Sequence, residues 1–338
     1  MKALQSILPV LLALALSSAP LDADVSLNPL KLFNKGKDDF EKVVPTVQEQ
    51  REAFDLYNEG KAAQEGGSEG RAIKRYKKIT KDYPHTDAAP NAYARLGEIY
   101  RDKRKWDKSF SSFQEIIDKY PAYPGFDETL ARQYELAVML KDGARGKILL
   151  VIPGFKNYDK AKDFLQQVYD NAPYSKTAPL ALMNLAEIAQ KQDDEDAAID
   201  ALDLLVNNHS ESLLAPQAHL KLADIYASLV KGPTYDQGST LEAINYYEDF
   251  LILYPDSPLV GDAEKALVKM KEIYAENKLI TADFYYTYRK NQRAALNFYN
   301  ETITVAPDSE AAKVAKEKIE AINRGEKPKG TLRKPFGQ

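Results

Sequence analysis

The chain has no cysteine among its 338 residues, and only one tryptophan and three histidines. The missing thiol excludes disulfides, thiolate metal sites, iron–sulfur clusters, cysteine nucleophiles and a lipid-modified cysteine, and leaves the compartment open. A charge excess of one sign is also missing. With 46 Lys and Arg against 50 Asp and Glu the net charge is −4, whereas a protein that depends on phosphate contacts carries a basic excess, so nucleic acid is not expected as a partner. Glycine and proline are modest, at 16 and 18 residues, which excludes collagen-like and low-complexity classes. What is present is 44% hydrophobic and 28% charged, the composition of a soluble chain with a large core.

Met1 and Lys2 precede an uncharged stretch, Ala3 to Leu21, whose apolar heart runs from Ile7 to Leu16. That length fits a signal-peptide core and is short for a membrane span of about 20 residues. Small residues follow at Ser17, Ser18 and Ala19, and Ala15-Leu16-Ser17 offers a small-x-small cleavage site. Residues 1–19 are therefore expected to be a signal peptide that exports the chain to the periplasm, with an uncleaved anchor as the alternative. Residues 20–46 read as an irregular lead-in.

The dominant signal is self-similarity. A small residue, an apolar or aromatic residue four later and a turn twelve later recur six times: Ala72/Tyr76/Pro84, Ser109/Phe113/Pro121, Ala161/Leu165/Pro173, Ala198/Leu202/Ser210, Ala243/Tyr247/Pro255 and Ala295/Tyr299/Pro307. An offset of four puts the first two on one helix face, and the proline stops that helix. Upstream lies a first helix with its own small residue, twelve before the next: Gly60, Gly97 and Ala186. The pattern is that of the tetratricopeptide repeat, about 34 residues per helix–turn–helix. Neighbouring hairpins bury each other's apolar faces, so the expected fold is an all-α solenoid of about six units with a groove. Units 1 to 5 span 47–256. A long amphipathic helix over Leu259–Asn277, unit 6 and a capping helix over Asp308–Ile322 occupy 257–323, and a basic tail follows at 324–338. Extra residues break the spacing near 141–157 and 232–240.

Tandem units with aromatic-Pro or Ala-Pro stops, the long extra helix and the stretch Tyr285-Tyr286-Thr287…Ala294-Ala295-Leu296-Asn297…Ala306-Pro307-Asp308-Ser309 resemble the BamD (ComL/YfiO) family. The resemblance covers roughly residues 50–322. It implies a periplasmic scaffold of the outer-membrane β-barrel assembly machinery that binds a POTRA-bearing subunit and unfolded outer-membrane proteins. Two departures stand out. The family's lipobox cysteine is absent, so membrane association through a partner is expected, and Phe298 stands where relatives often carry an arginine.

Catalytic patterns are sparse. Gly66-Gly67-Ser68-Glu69-Gly70 fits the nucleophile elbow G-x-S-x-G, but that elbow needs a strand before it, and a helix is expected there. Glycines serve the turn of unit 1 without chemistry. The three histidines, His85, His209 and His219, lack metal-ligand spacing. The acidic run Asp193-Asp194-Glu195-Asp196 suits a helix start better than a calcium loop. No enzyme, metal or cofactor is expected.

Binding surfaces are the expected working parts. Counted from the small residue, groove-facing positions of the first helices give Phe54, Tyr57, Lys61 and Gln64, then Asn91, Ala94, Glu98 and Arg101, then Leu180, Met183, Glu187 and Gln190. Of these, Phe54, Tyr57, Lys61, Asn91, Glu98 and Arg101 form the candidate peptide groove, suited to an extended segment with an aromatic end and a free carboxylate. By resemblance, Tyr285, Tyr288, Arg289, Arg293 and Phe298 form the candidate POTRA docking surface. The competing function is a periplasmic repeat adaptor in cell division or peptidoglycan coordination.

Overall fold

The structure, a computed structural model, describes residues 43–143, 147–148, 152–153 and 158–326. The expected signal peptide, all but the end of the lead-in, most of the 141–157 insert and the tail beyond 326 lie outside the described residues. Thirteen α-helices occur among the described residues. Unit 1 is α1 (Val47–Glu65) and α2 (Glu69–Asp82), and unit 2 is α3 (Ala88–Asp102) and α4 (Trp106–Lys119). Unit 3 is α5 (Phe126–Lys141) and α6 (Tyr158–Asn171), with a short antiparallel pair, β1 (Lys147–Ile148) and β2 (Ile152–Pro153), between them. Units 4 and 5 are α7 (Ala178–Lys191) with α8 (Glu195–Asn208), and α9 (Ala215–Ser228) with α10 (Gly238–Leu253). The chain then forms α11 (Val260–Thr287), α12 (Gln292–Val305) and the cap α13 (Glu310–Asn323). Each helix packs on the next, and the first helices of units 1 and 2 and of units 3 and 4 also meet, so this is a tetratricopeptide solenoid.

The six small/large pairs explain why the hairpins close. Ala72, Tyr76, Ser109, Ala161, Leu165, Ala198, Leu202, Ala243, Ala295 and Tyr299 are fully buried, with Phe113 and Tyr247 nearly so. A side chain at Gly60 would stand 2.7 Å from the Tyr76 ring, and one at Gly97 would stand 2.5 Å from the Phe113 ring. The two glycines are thus the seats of those rings. Ser109 Oγ donates to the Gly97 carbonyl at 2.7 Å, locking the same crossing. In units 5 and 6 the buried tyrosines keep their hydroxyls satisfied, Tyr247 on Asp224 at 2.7 Å and Tyr299 on Asp283 at 2.5 Å. Burial, followed by these hydrogen bonds, raises both phenols well above their ordinary pKa.

Turns repeat as strictly as cores. The residue two before the second helix is left-handed in units 1, 2, 4 and 6: Gly67 (φ 73°), Arg104 (56°), Asp193 (55°) and Lys290 (54°). Asp194 then caps α8, its side chain accepting from Ala197 N at 3.1 Å, so the acidic run is a helix start. At the far end, Tyr83, Tyr120, His209 and Tyr254 leave the helix at φ −132°, −129°, −135° and −129°, the same exit whether proline or serine follows. The expected extra helix and the first helix of unit 6 are one 28-residue rod, α11, about 42 Å long at 1.5 Å per residue. Its Asn277 Nδ2 donates to the Pro233 carbonyl at 2.8 Å, so the 232–240 insert braces unit 5 against unit 6.

Candidate partner-binding surfaces

The first helices of units 1 to 3 build the N-terminal groove. Phe54 stands 60% exposed on α1. One turn on, Tyr57 tilts against the buried Tyr76 with ring centroids 5.7 Å apart. Burial pushes the Tyr76 phenol up to about 12. Arg95 of α3 reaches back across the unit boundary, its Nε 3.4 Å from the Tyr57 hydroxyl and its Nη1 3.0 Å from Glu98 Oε2. The Tyr57 hydrogen bond, opposed by burial and aided by Glu98, holds the guanidinium above its ordinary pKa. Asn91 accepts from the Tyr123 hydroxyl at 2.9 Å and donates to the Asp87 carbonyl at 2.8 Å.

Two hollows meet here. One of about 640 Å³ is lined by Gln50, Arg51, Phe54, Tyr57, Asp87 and Asn91. The other, about 270 Å³, continues past Tyr57 and Asn91 to Arg95, Glu98, Tyr123 and Arg132. A third, about 870 Å³, opens at the inter-unit turns around Pro90, Asn91, Tyr120, Pro121 and Pro124.

Of the groove residues expected from sequence, Phe54, Tyr57, Asn91 and Glu98 come together on these hollows. Lys61 and Arg101 line none of them; Lys61 Nζ lies 3.9 Å from Glu65, and Arg101 pairs with Asp102 at 3.2 Å. Arg51 is the cation that stands beside Phe54, exposed and without an ion pair among the described residues. In unit 4, Met183 is 5% exposed and belongs to the core, while Glu187 is held by Lys141 Nζ at 2.7 Å. Counting helix faces missed Arg51, Arg95 and Tyr123. Arg51 sits one turn before the counted positions, Arg95 reaches the groove only by its length, and Tyr123 comes from a turn.

The C-terminal cluster lies on the α11–α12 hairpin. Tyr285 stacks on Phe298 at 5.3 Å and 15° between planes, and both are half-buried against the last core. Phe284 carries the contact on to Tyr288 at 5.7 Å, and Tyr288 is 47% exposed. Arg289 in the turn and Arg293 on α12 are exposed, with no ion pair among the described residues. Lys278 was not anticipated. Its Nζ lies 5.6 Å above Phe298, 4.9 Å above Tyr274 and 2.9 Å from Glu301. Burial alone would lower its pKa; the hydrogen bond to Glu301 and the contacts with Tyr274 outweigh it and raise it. The Phe298 site thus has a cation after all, supplied by α11. Beside it a shallow hollow of about 460 Å³ is lined by Tyr274, Lys278, Asn297, Asn300 and Glu301.

Ser68 sits between α1 and α2, not after a strand, so the elbow geometry is absent. Among the described residues, no group of three His, Asp or Glu side chains is placed to hold a metal, and no helix is long and apolar enough to cross a membrane.

Residues 155–329 match the family model described as YfiO, outer membrane lipoprotein, and residues 57–124 match a tetratricopeptide repeat model. A curated relative, outer membrane protein assembly factor BamD of Rickettsia prowazekii (strain Madrid E), is 23% identical over 148 residues. That alignment covers 44% of this chain and 59% of the relative, so the chain spans under two thirds of the relative's length. Solved structures with similarity include the MamA protein, at 18% identity and TM-score 0.33 over 72% of this chain and 98% of that one. The tetratricopeptide protein YrrB is 13% identical with TM-score 0.33, over 73% of this chain and 100% of that one.

Proposed function

The chain belongs to the YfiO family of outer membrane lipoproteins, and on that premise we propose that it is a periplasmic scaffold of the machinery that assembles outer-membrane β-barrel proteins. The observation that carries this reading is the family match over 155–329, which takes in α6, units 4 to 6 and α13. Its mechanism is binding, with no covalent step. The hairpin α11–α12 docks a POTRA-bearing subunit, with Tyr288, Arg289 and Arg293 as the exposed contacts and Tyr285, Phe298 and Lys278 as the support beneath them. The N-terminal groove holds segments of unfolded barrel proteins. There an extended segment lays apolar side chains on Phe54 and Tyr57, its backbone finds donors and acceptors in Asn91, Arg95 and Glu98, and a terminal carboxylate meets Arg51.

Calorimetric titration of the chain with the POTRA region of the same organism's barrel-assembly subunit tests the reading. Saturable binding is expected, weakened at least tenfold by the double substitution Arg289→Glu/Arg293→Glu. Absence of heat at tens of micromolar with the chain folded and helical overturns it in favour of an envelope adaptor.

A further inference from the structure

The second helices of the repeat share a solvent face, and the repeat supplies its own baseline for what that face carries. At five exposed positions of α2 the residues are Arg71, Lys74, Lys77, Lys78 and Lys81. The equivalent positions of α4 read Lys108, Ser111, Gln114, Glu115 and Asp118. In α6, Asp163, Gln166, Gln167 and Asp170 follow Lys160, and in α8 the same face carries Asp200 and Asp203. Unit 1 alone is uniformly basic. Within Glu69–Asp82 six basic residues stand against two acidic ones, in a chain whose net charge is −4.

Ion pairs do not take up these cations, although Lys78 is near enough to Glu52 to add to the Tyr83 hydrogen bond that lowers its carboxyl pKa. Among the described residues none of the five forms an ion pair, while Arg75, on the flank toward α1, pairs with Glu59 at 2.8 Å. At 100° per residue the five span about 120° of the helix surface, opposite Ala72, Tyr76 and Ile79. None of the four hollows above draws on them, so the face offers an array of exposed point charges. Val47, 82% exposed, stands on the Phe54 stripe of α1 and takes no part in this face.

We propose that this outer face of unit 1 lies on an anionic lipid bilayer, with the α2 cations on headgroup phosphates. Charge complementarity selects an anionic surface, and cations spread along the whole helix suit the distributed charge of a bilayer. Of the five cations, four are lysines, which suit diffuse headgroup charge more than bidentate recognition. The inference goes beyond the assembly reading and stands on the opposite side of unit 1 from the groove, so either can fail alone.

The test is co-sedimentation of the full chain with vesicles of phosphatidylethanolamine and phosphatidylglycerol at 3:1, and with phosphatidylcholine vesicles. Binding to the anionic vesicles is expected, falling with salt, and negligible on the neutral ones. The variant Lys74→Gln/Lys77→Gln/Lys78→Gln/Lys81→Gln should bind at least about tenfold more weakly, since each lysine near such a surface contributes roughly fivefold. The equally exposed pair Lys313→Gln/Lys316→Gln should bind as the parent does. Retention on heparin is measured alongside as the polyanion control. Equal binding to both vesicle types, full binding by the fourfold variant, or retention on heparin without vesicle binding overturns the proposal.

Discussion

The Phe113 ring occupies the space that a side chain at Gly97 would fill, so a residue that ordinarily weakens a helix is here the one that fits. Gly→Ala in a helix interior normally gains about 1 kcal/mol. At Gly97 overpacking costs about 1–3 kcal/mol against a buried ring, so Gly97→Ala is expected to lower stability in urea by up to about 2 kcal/mol. Gly70 has nothing within 4 Å of the site of a side chain, and Gly70→Ala should raise stability by about 0.5–1 kcal/mol. Opposite signs for the two variants check the account. His219 is a second residue with a definite consequence. It is 8% exposed, its Nδ1 has no partner among the described residues, and Tyr254 and Tyr246 flank it at 5.4 and 6.5 Å. Burial lowers its pKa, opposed by Asp249 and Asp203. The unfolded chain therefore takes up the proton first as pH falls below about 6.5, and stability drops until the native imidazole also protonates. Urea midpoints should fall from pH 7 to pH 5 by less in His219→Leu than in the parent, a comparison that cancels the shared carboxylates. At this scale sequence legibility depended on reach. Phe54, Tyr57, Asn91 and Glu98 were readable because a helix count fixes where a side chain starts. Arg95 was not, because its guanidinium ends one unit away from its backbone.

Element by element, the helices were readable because each carries a small residue, a large one four later and a stop, and burial keeps that spacing honest. The fusion of two expected helices into α11 follows from a sequence between Ala275 and Ala282 that has no proline, glycine or cap to end it. The β1–β2 pair was not readable, since a short apolar run with glycines on either side carries no decisive period. The role of the 232–240 insert was also hidden. It depends on one long-range hydrogen bond, Asn277 to Pro233 O, across 44 residues of sequence. Asn277→Ala should cost about 0.5–1.5 kcal/mol. In hydrogen exchange it should deprotect residues 232–237 and the start of α10 while α1 to α4 stay as in the parent. Uniform deprotection along the whole array would show instead that the brace is not local.

At the scale of the molecule, a solenoid fixes distances because every unit contacts only its neighbours. The candidate groove is built from α1, α3, α5 and the turn before α5, and the candidate docking hairpin from α11 and α12, with units 4 and 5 between them. Among the described residues nothing links the two candidate sites, so the proposed scaffold is expected to hold both partners at once. The direct test is a calorimetric titration with a peptide from an unfolded barrel protein ending in a phenylalanine carboxylate, with the chain first free and then saturated with the POTRA region. The account predicts the same affinity in both titrations, lost at least tenfold in Arg51→Glu and unaffected by Arg289→Glu/Arg293→Glu. Displacement of the POTRA region by the peptide, or equal binding by Arg51→Glu, would contradict it.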